Sequence, residues 1–168
     1  MAKAYPYRTV QGTVGLWSRL PLSDTKPVAV KLSYSRALRT TVATDRGPLA
    51  VYVVLGSVRV FPRAGFWTAG RDRGAQALGE AIAAERNERV VLLGDLNGTT
   101  DDRAFADITS RMRSAQDLAG DGFGFSWPAR FPMVRIDQIL VRGVEPKSSW
   151  VLPATGSDHL PVAARISW

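Results

Sequence analysis

The sequence predicts a mixed α/β layer structure, and three observations carry that prediction. Val90-Val91-Leu92-Leu93 is a continuous apolar run of the kind found in strands buried on both faces. Ala75, Leu78 and Ile82 recur at helical spacing, with Glu80, Glu85 and Arg86 available for the opposite face. The last third of the chain offers three strand-like segments rather than a helical stripe. With 168 residues, 45% of them hydrophobic, the chain is long enough to bury one core, and residues 1–168 read as a single domain.

The elements follow in order. Gly12 to Leu22 reads as a strand closed by the turn Leu20-Pro21-Leu22. Val28 to Ala43 reads as a pair of strands, with β-branched Thr40, Thr41 and Val42 in the second. Asp45-Arg46-Gly47-Pro48 is a turn, and Leu49 to Val54 an apolar strand. Pro62 to Gly74, holding Trp67 and several glycines, reads as a loop before the Ala75–Ile82 helix. After the buried Val90–Leu93 strand, Thr99-Thr100-Asp101-Asp102 supplies hydroxyls and carboxylates suited to a helix N-terminus. Phe105, Ile108 and Met112 mark that helix's apolar stripe. Met133 to Arg142, Ser148 to Leu152 and Leu160 to Trp168 are the closing strands, whose order within the sheets does not follow from the sequence.

Composition excludes several chemistries. Cysteine is absent, which removes disulfides, thiolate metal sites and a cysteine nucleophile. One histidine, His159, leaves no site built on two imidazoles. No apolar run approaches the ~20 residues of a membrane-spanning helix, and the first residues carry no signal-peptide pattern. The chain as written is therefore expected to be cytoplasmic. Lys and Arg number 22 against 15 acids, a formal charge of +7. That excess favours polyanionic partners, although an Arg-rich composition is equally a mark of a GC-rich genome.

Three polar clusters interrupt the apolar strands or end them, where open α/β sheets build sites. They are Gly94-Asp95-Leu96-Asn97-Gly98, the Asp137 carboxylate inside Arg135-Ile136-Asp137-Gln138-Ile139-Leu140, and Gly156-Ser157-Asp158-His159-Leu160-Pro161. Each taken alone has a plainer reading. Asp95 and Asn97 suit a turn, Asp137 a solvent-facing strand position, and His159 a hydrogen-bonded turn.

Taken in order, the three resemble the motifs of the endonuclease/exonuclease/phosphatase superfamily, the DNase I-like phosphoesterases. Leu92-Leu93-Gly94-Asp95-Leu96-Asn97 is similar to that family's Gly-Asp-Phe-Asn, with Leu96 in the aromatic place. Ile136-Asp137-Gln138-Ile139 resembles its Ile-Asp strand, Ser157-Asp158-His159 its closing motif, and Ser126-Trp127-Pro128 its Thr-Trp-Pro loop. The resemblance implies a DNase I-like β-sandwich with flanking helices and divalent-metal-dependent phosphoester hydrolysis. It implies that Asp95 orients or deprotonates the attacking water and that Asn97 holds a phosphoryl oxygen. His159 would donate to the phosphate while Asp137 fixes its tautomer and favours its charge. Asp158 would contribute to a Mg²⁺ or Mn²⁺ site. Trp127 would line the substrate groove or pack the loop. The substrate class would be phosphate-containing: nucleic acid, nucleotide, lipid or sugar phosphate.

The sequence also departs from the family pattern. The family opens with a strand carrying Asn and a later strand ending in a metal-binding Glu, whereas Gly12 to Arg19 here resembles a later strand. The end of Val51–Ser57 carries no His. The expectation is a fold truncated at its N-terminus, with an exposed sheet edge open to self-association. Three readings stay open: a fragment of an active protein, a short phosphoesterase of reduced activity, or a non-catalytic phosphate- or nucleic-acid-binding relative. A fragment of a membrane-anchored protein would place the domain outside the cytoplasm.

Overall fold

The structure, a computed structural model, describes residues 4–29, 36–56, 59–61, 65–67 and 69–168. The chain opens on a hairpin, β1 (Tyr7–Gln11) and β2 (Val14–Ser18), where the sequence predicts one strand from Gly12 to Leu22. Gly12, at φ 59, supplies the left-handed residue that a two-residue hairpin loop needs, and Leu22 instead opens β3 (Leu22–Pro27). β4 (Ala37–Thr44) and β5 (Gly47–Leu55) form a second hairpin across Asp45 and Arg46, as the turn residues predict. β4 is thus the second strand of the expected pair, whose first lies earlier, as β3; residues 30–35 fall outside the described residues.

Within the loop expected over Pro62 to Gly74, β7 (Gly65–Trp67) pairs antiparallel with β6 (Arg59–Phe61) just before it, while residues 62–64 and 68 lie outside the described residues. Helix α1 (Ala69–Ala83) begins six residues before the apolar stripe does. Its first turn is Ala, Gly, Arg and Asp, so nothing apolar announces it. β8 (Val90–Asp95) is the predicted buried strand. Asp102 caps the next helix by accepting from the Ala104 amide at 3.0 Å; a 3₁₀ turn (Arg103–Phe105) runs into α2 (Ala106–Thr109). β9 (Arg113–Ser114) and α3 (Ala115–Ala119) follow, neither of them expected from the sequence. β10 (Asp137–Arg142) starts later than the predicted Met133, because Val134 is bridged to Trp127 instead. β11 (Glu145–Val151) and β12 (Val162–Ser167) close the chain.

One six-stranded sheet, ordered β3-β4-β5-β8-β10-β9, carries the molecule. β5 and β8 run parallel, with α1 in the crossover between them, and the other neighbours are antiparallel. Alternation along β8 sends Val90 and Leu92 to one face and Val91 and Leu93 to the other. The first face packs on α1 and α2 through Leu78, Ile82, Phe105 and Ile108. The second face, with Val42, Leu49, Val51 and Val141, packs under Leu16 of β2 and Ile166 of β12. Its cover is a mixed layer of two separate ribbons, β1–β2 and β11–β12. Between them lies a cleft of about 230 Å³ floored by Val51, Val91, Leu93 and Ile139 and flanked by Leu16 and Ile166. Among the described residues no strand pairs with the edges of β2 and β12 that border it. No helix among them is long and apolar enough to cross a membrane.

Candidate active site

The end of β8 and the start of β10 sit side by side in antiparallel register, Asp95 opposite Asp137 and Leu93 opposite Ile139. Two-residue alternation therefore turns both carboxylates toward the face that carries the cleft. Gly94 makes that approach possible. Its φ is 144, and a Cβ there would lie 1.9 Å from the Val54 carbonyl oxygen. Only glycine fits between β5 and Asp95.

Beyond Asp95 the chain turns sharply. Asn97 adopts a left-handed φ of 52, which Asn tolerates better than most residues. Its backbone N–H donates to Asp95 Oδ1 at 2.7 Å, and its side-chain Nδ2 donates to Asp95 Oδ2 at 2.8 Å. The same Nδ2 donates to the Gly56 carbonyl at 3.2 Å. Both side-chain amide hydrogens of Asn97 are thus engaged, one on Asp95 and one on Gly56, which leaves Oδ1 as the part of the amide open to a visitor.

His159 enters from the loop before β12, and its Nδ1 is 2.7 Å from Asp137 Oδ2. That contact fixes Nδ1 as the protonated nitrogen and turns Nε2 outward. Asp95, Asp137 and His159 each present an atom within 4.8 Å of the others. Asp158 is adjacent but exposed, and its carboxylate stands outside this group of three. Its backbone carbonyl accepts from Ala129 N at 2.7 Å, which ties the His159 loop to the segment before β10.

That segment is a strap with Ser126 at its centre, a residue the sequence did not single out by itself. Ser126 is fully buried; its Oγ accepts from the Asp137 amide at 3.3 Å and its carbonyl from Leu160 N at 2.7 Å. It therefore holds the strand bearing Asp137 and the loop bearing His159 at once. Trp127 is half-buried beside it, bonded through its backbone to Met133 and Val134.

The electrostatics follow from this crowding. Burial pushes the Asp95 carboxyl above its ordinary value, and the Asp137 charge adds to the rise, against the Asn97 hydrogen bonds and the His159 charge that pull it down. For His159, burial pulls the pKa down, yet the hydrogen bond and charge of Asp137, with Asp95 and Asp158 behind it, outweigh burial and raise it. The result is a partly buried carboxylate shifted upward beside an imidazole that favours its charged form.

The donor set suits a divalent cation by its chemistry. Hard cations take carboxylate and carbonyl oxygens. Asp95 and Asp137 bring carboxylates together in a partly buried pocket, where their mutual repulsion raises Asp95, and a cation would relieve it. The residues fit such an ion, with His159 the least suited ligand of the three.

Comparison with known proteins agrees with this fold. No curated protein matches the sequence. An endonuclease/exonuclease/phosphatase family protein from Bacteroides thetaiotaomicron superposes at a TM-score of 0.74 with 15% identity, over 98% of this chain and 77% of its own. Danio rerio TDP2, solved with a single-strand DNA product, gives 0.68 at 15% identity over 89% and 69%. A mannosyl-6-phosphatase from the same Bacteroides species gives 0.61 at 15% over 79% and 56%. These likenesses establish the DNase I-like fold. The family is usually hydrolytic and generally depends on a divalent metal. Its sequence model, described as the Endonuclease/Exonuclease/phosphatase family, matches residues 2–159, and the chain belongs to that family.

Proposed function

We propose that the protein is a divalent-metal-dependent phosphoester hydrolase working through Asp95, Asn97, Asp137 and His159. The observation that carries the reading is the Asp137–His159 pair, 2.7 Å apart, facing Asp95 across one small cluster. Asp95, held at one oxygen by the Asn97 backbone N–H and at the other by its side-chain amide, accepts the proton of the attacking water. His159 donates from Nε2 to the phosphoryl or leaving oxygen, and Asp137 holds the tautomer and stabilises the positive ring. Asn97 serves chiefly to aim Asp95, because both its amide hydrogens are already spent within the protein. Asp95 and Asp137, with Asp158 at the rim, would hold a Mg²⁺ or Mn²⁺ ion, which supplies charge neutralisation at the phosphoryl oxygens. Trp127, half-buried in the strap beside this cluster, would line the substrate groove or pack the loop.

The substrate carries a phosphate; nucleic acid and sugar phosphate both fit, given the DNA product and mannosyl-6-phosphatase named among the structural neighbours. The test is turnover of aryl phosphodiesters and phosphomonoesters with and without Mg²⁺ or Mn²⁺, by the parent and His159→Ala. Metal-dependent turnover that drops about 10²- to 10⁴-fold in the variant is expected. The charge of +7 supports a second reading, a basic binding module. No turnover, with DNA or RNA binding that falls steeply with salt and ignores His159→Ala, would replace the first reading by the second.

A further inference from the structure

Arg71 lies in the first turn of α1, behind the loop that follows β8, with its side chain only 10% exposed. A guanidinium so buried must meet its donors. Nε and NH2 donate to Asp72 Oδ1 at 2.9 and 2.8 Å, and NH2 pairs with Asp102 Oδ2 at 2.7 Å. The Phe105 ring faces the guanidinium at 5.4 Å. Two carboxylates and an aromatic face are sufficient for a structural ion pair. The remaining nitrogen goes elsewhere: NH1 donates to the Asn97 carbonyl at 3.1 Å. Gly98 leaves the room for it, since a Cβ there would come within 3.0 Å of NH1 and 2.5 Å of the Phe105 ring.

Asn97 is the residue that turns left-handed to present both its N–H groups to Asp95. A non-glycine residue stays in that sparsely populated conformation only where its surroundings hold it. The Gly56 carbonyl holds the side chain, and Arg71 holds the backbone carbonyl. We propose that Arg71 is a positioning residue for the site, fixing the Asn97 backbone so that its amide aims Asp95. As far as catalysis goes, the inference rests on the hydrolase reading above. Arg71 touches no reacting atom and acts through Asn97 alone.

The claim makes lysine a poor substitute. Lysine keeps a cation between Asp72 and Asp102 but cannot donate in three fixed directions. In Arg71→Lys, kcat is expected to fall about 10- to 100-fold with KM within about two-fold, the pattern of a misaimed group. Arg71→Met should fall at least as far, and where it fails to fold the lysine variant carries the test. In an Asn97→Gly background, which tolerates the left-handed turn, the kcat loss from Arg71→Lys should be clearly smaller, because the side-chain amide is gone and only the backbone N–H is left for Arg71 to position. Equal losses in both backgrounds would overturn the inference, as would full activity in Arg71→Lys.

A second readout does not depend on turnover. The Asn97 side-chain amide resonances, slowed in hydrogen exchange by Asp95 and Gly56, should shift and exchange faster in Arg71→Lys. Unchanged resonances would overturn the positioning role whatever the activity. A parent protein without turnover but with this amide response would instead remove the hydrolase reading and leave the Arg71–Asn97 coupling standing.

Discussion

Acid should unfold this protein through one carboxylate far from the candidate site. Glu85, just beyond α1, has a side chain 7% exposed and is surrounded by donors. Arg39 grips it with Nε at 2.9 Å and NH2 at 3.2 Å, the Tyr52 hydroxyl donates at 3.0 Å, and the Asn87 backbone and side chain donate at 2.9 and 3.1 Å. Burial alone would raise the carboxyl, but the Arg39, Asn87 and Tyr52 hydrogen bonds and the Arg39 charge outweigh it. They bring the carboxyl from 4.5 to about 2. At 1.36 kcal/mol per pH unit, that difference amounts to about 3 kcal/mol of stability. The sign is fixed by linkage. A carboxylate held below its unfolded value contributes fully above pH ~4.5 and loses its contribution as pH falls toward ~2.

Urea unfolding from pH 7 to pH 2.5 reads this directly. The parent should lose stability steeply below pH ~4.5. Glu85→Gln removes the titration and leaves Arg39 buried without its anion, at a cost of about 3–5 kcal/mol at neutral pH. That is a large share of the ~5–15 kcal/mol typical of a domain. The variant's remaining acid slope should be shallower by the Glu85 share. A Glu85→Gln profile with the parent's full acid limb would refute the assignment. The same network raises the Tyr52 hydroxyl to about 12, first through burial and then through the Glu85 charge. Stability should therefore also fall as pH rises from ~10 through ~12, because the unfolded chain ionises first.

Gly94→Ala places a methyl 1.9 Å from the Val54 carbonyl at a φ of 144, so a loss of about 3 kcal/mol or more in denaturant unfolding is expected. Asp137→Asn keeps the shape but removes the charge that raises His159. Turnover should drop about 10²- to 10⁴-fold, and the His159 proton resonance should titrate at lower pH than in the parent. The open cleft between β2 and β12 should bind an apolar fluorescent dye in native buffer. The strand edges that border it, unpaired among the described residues, should also give concentration-dependent association in sedimentation; Ile166→Glu should weaken both.

The buried centre of the fold was legible because period and composition agree there. Val90–Leu93 is apolar at every position and is flanked by strands on both sides, as a double-faced strand must be. Ala75, Leu78 and Ile82 were legible for the same reason, being buried on one stripe of α1. The first turn of α1 was not, since Gly70, Arg71, Asp72 and Arg73 carry no apolar signal, and the first hairpin was hidden by a single glycine within an alternating run. In the site, Asp95, Asn97, Asp137 and His159 stood out as polar residues breaking apolar strands, and they converge. Ser126 and Arg71 did not stand out, because each acts through backbone groups that only the folded loops bring within reach.

The two faces of the central sheet explain why the site lies where it does. Val91, Leu93 and Asp95 form one column, Val141, Ile139 and Asp137 the column beside it, and both change from apolar to acidic at the same level. The packing that desolvates Leu93 and Ile139 therefore also desolvates the carboxylates that follow them, and burial is the first cause of the Asp95 rise. On the helical face the neighbouring positions Leu92 and Leu140 are fully buried in one core with Ile82 and Ile108. On the other face Asp95 and Asp137 are only partly buried, drier than surface carboxylates and still open to a ligand. The loops complete what the columns begin. Asn97 turns back onto Asp95 and His159 closes over Asp137, each from a connection of its own. A sheet that buried its second face fully at this level would have left two acids unreachable, and one that left it bare would have returned both to ordinary surface carboxylates.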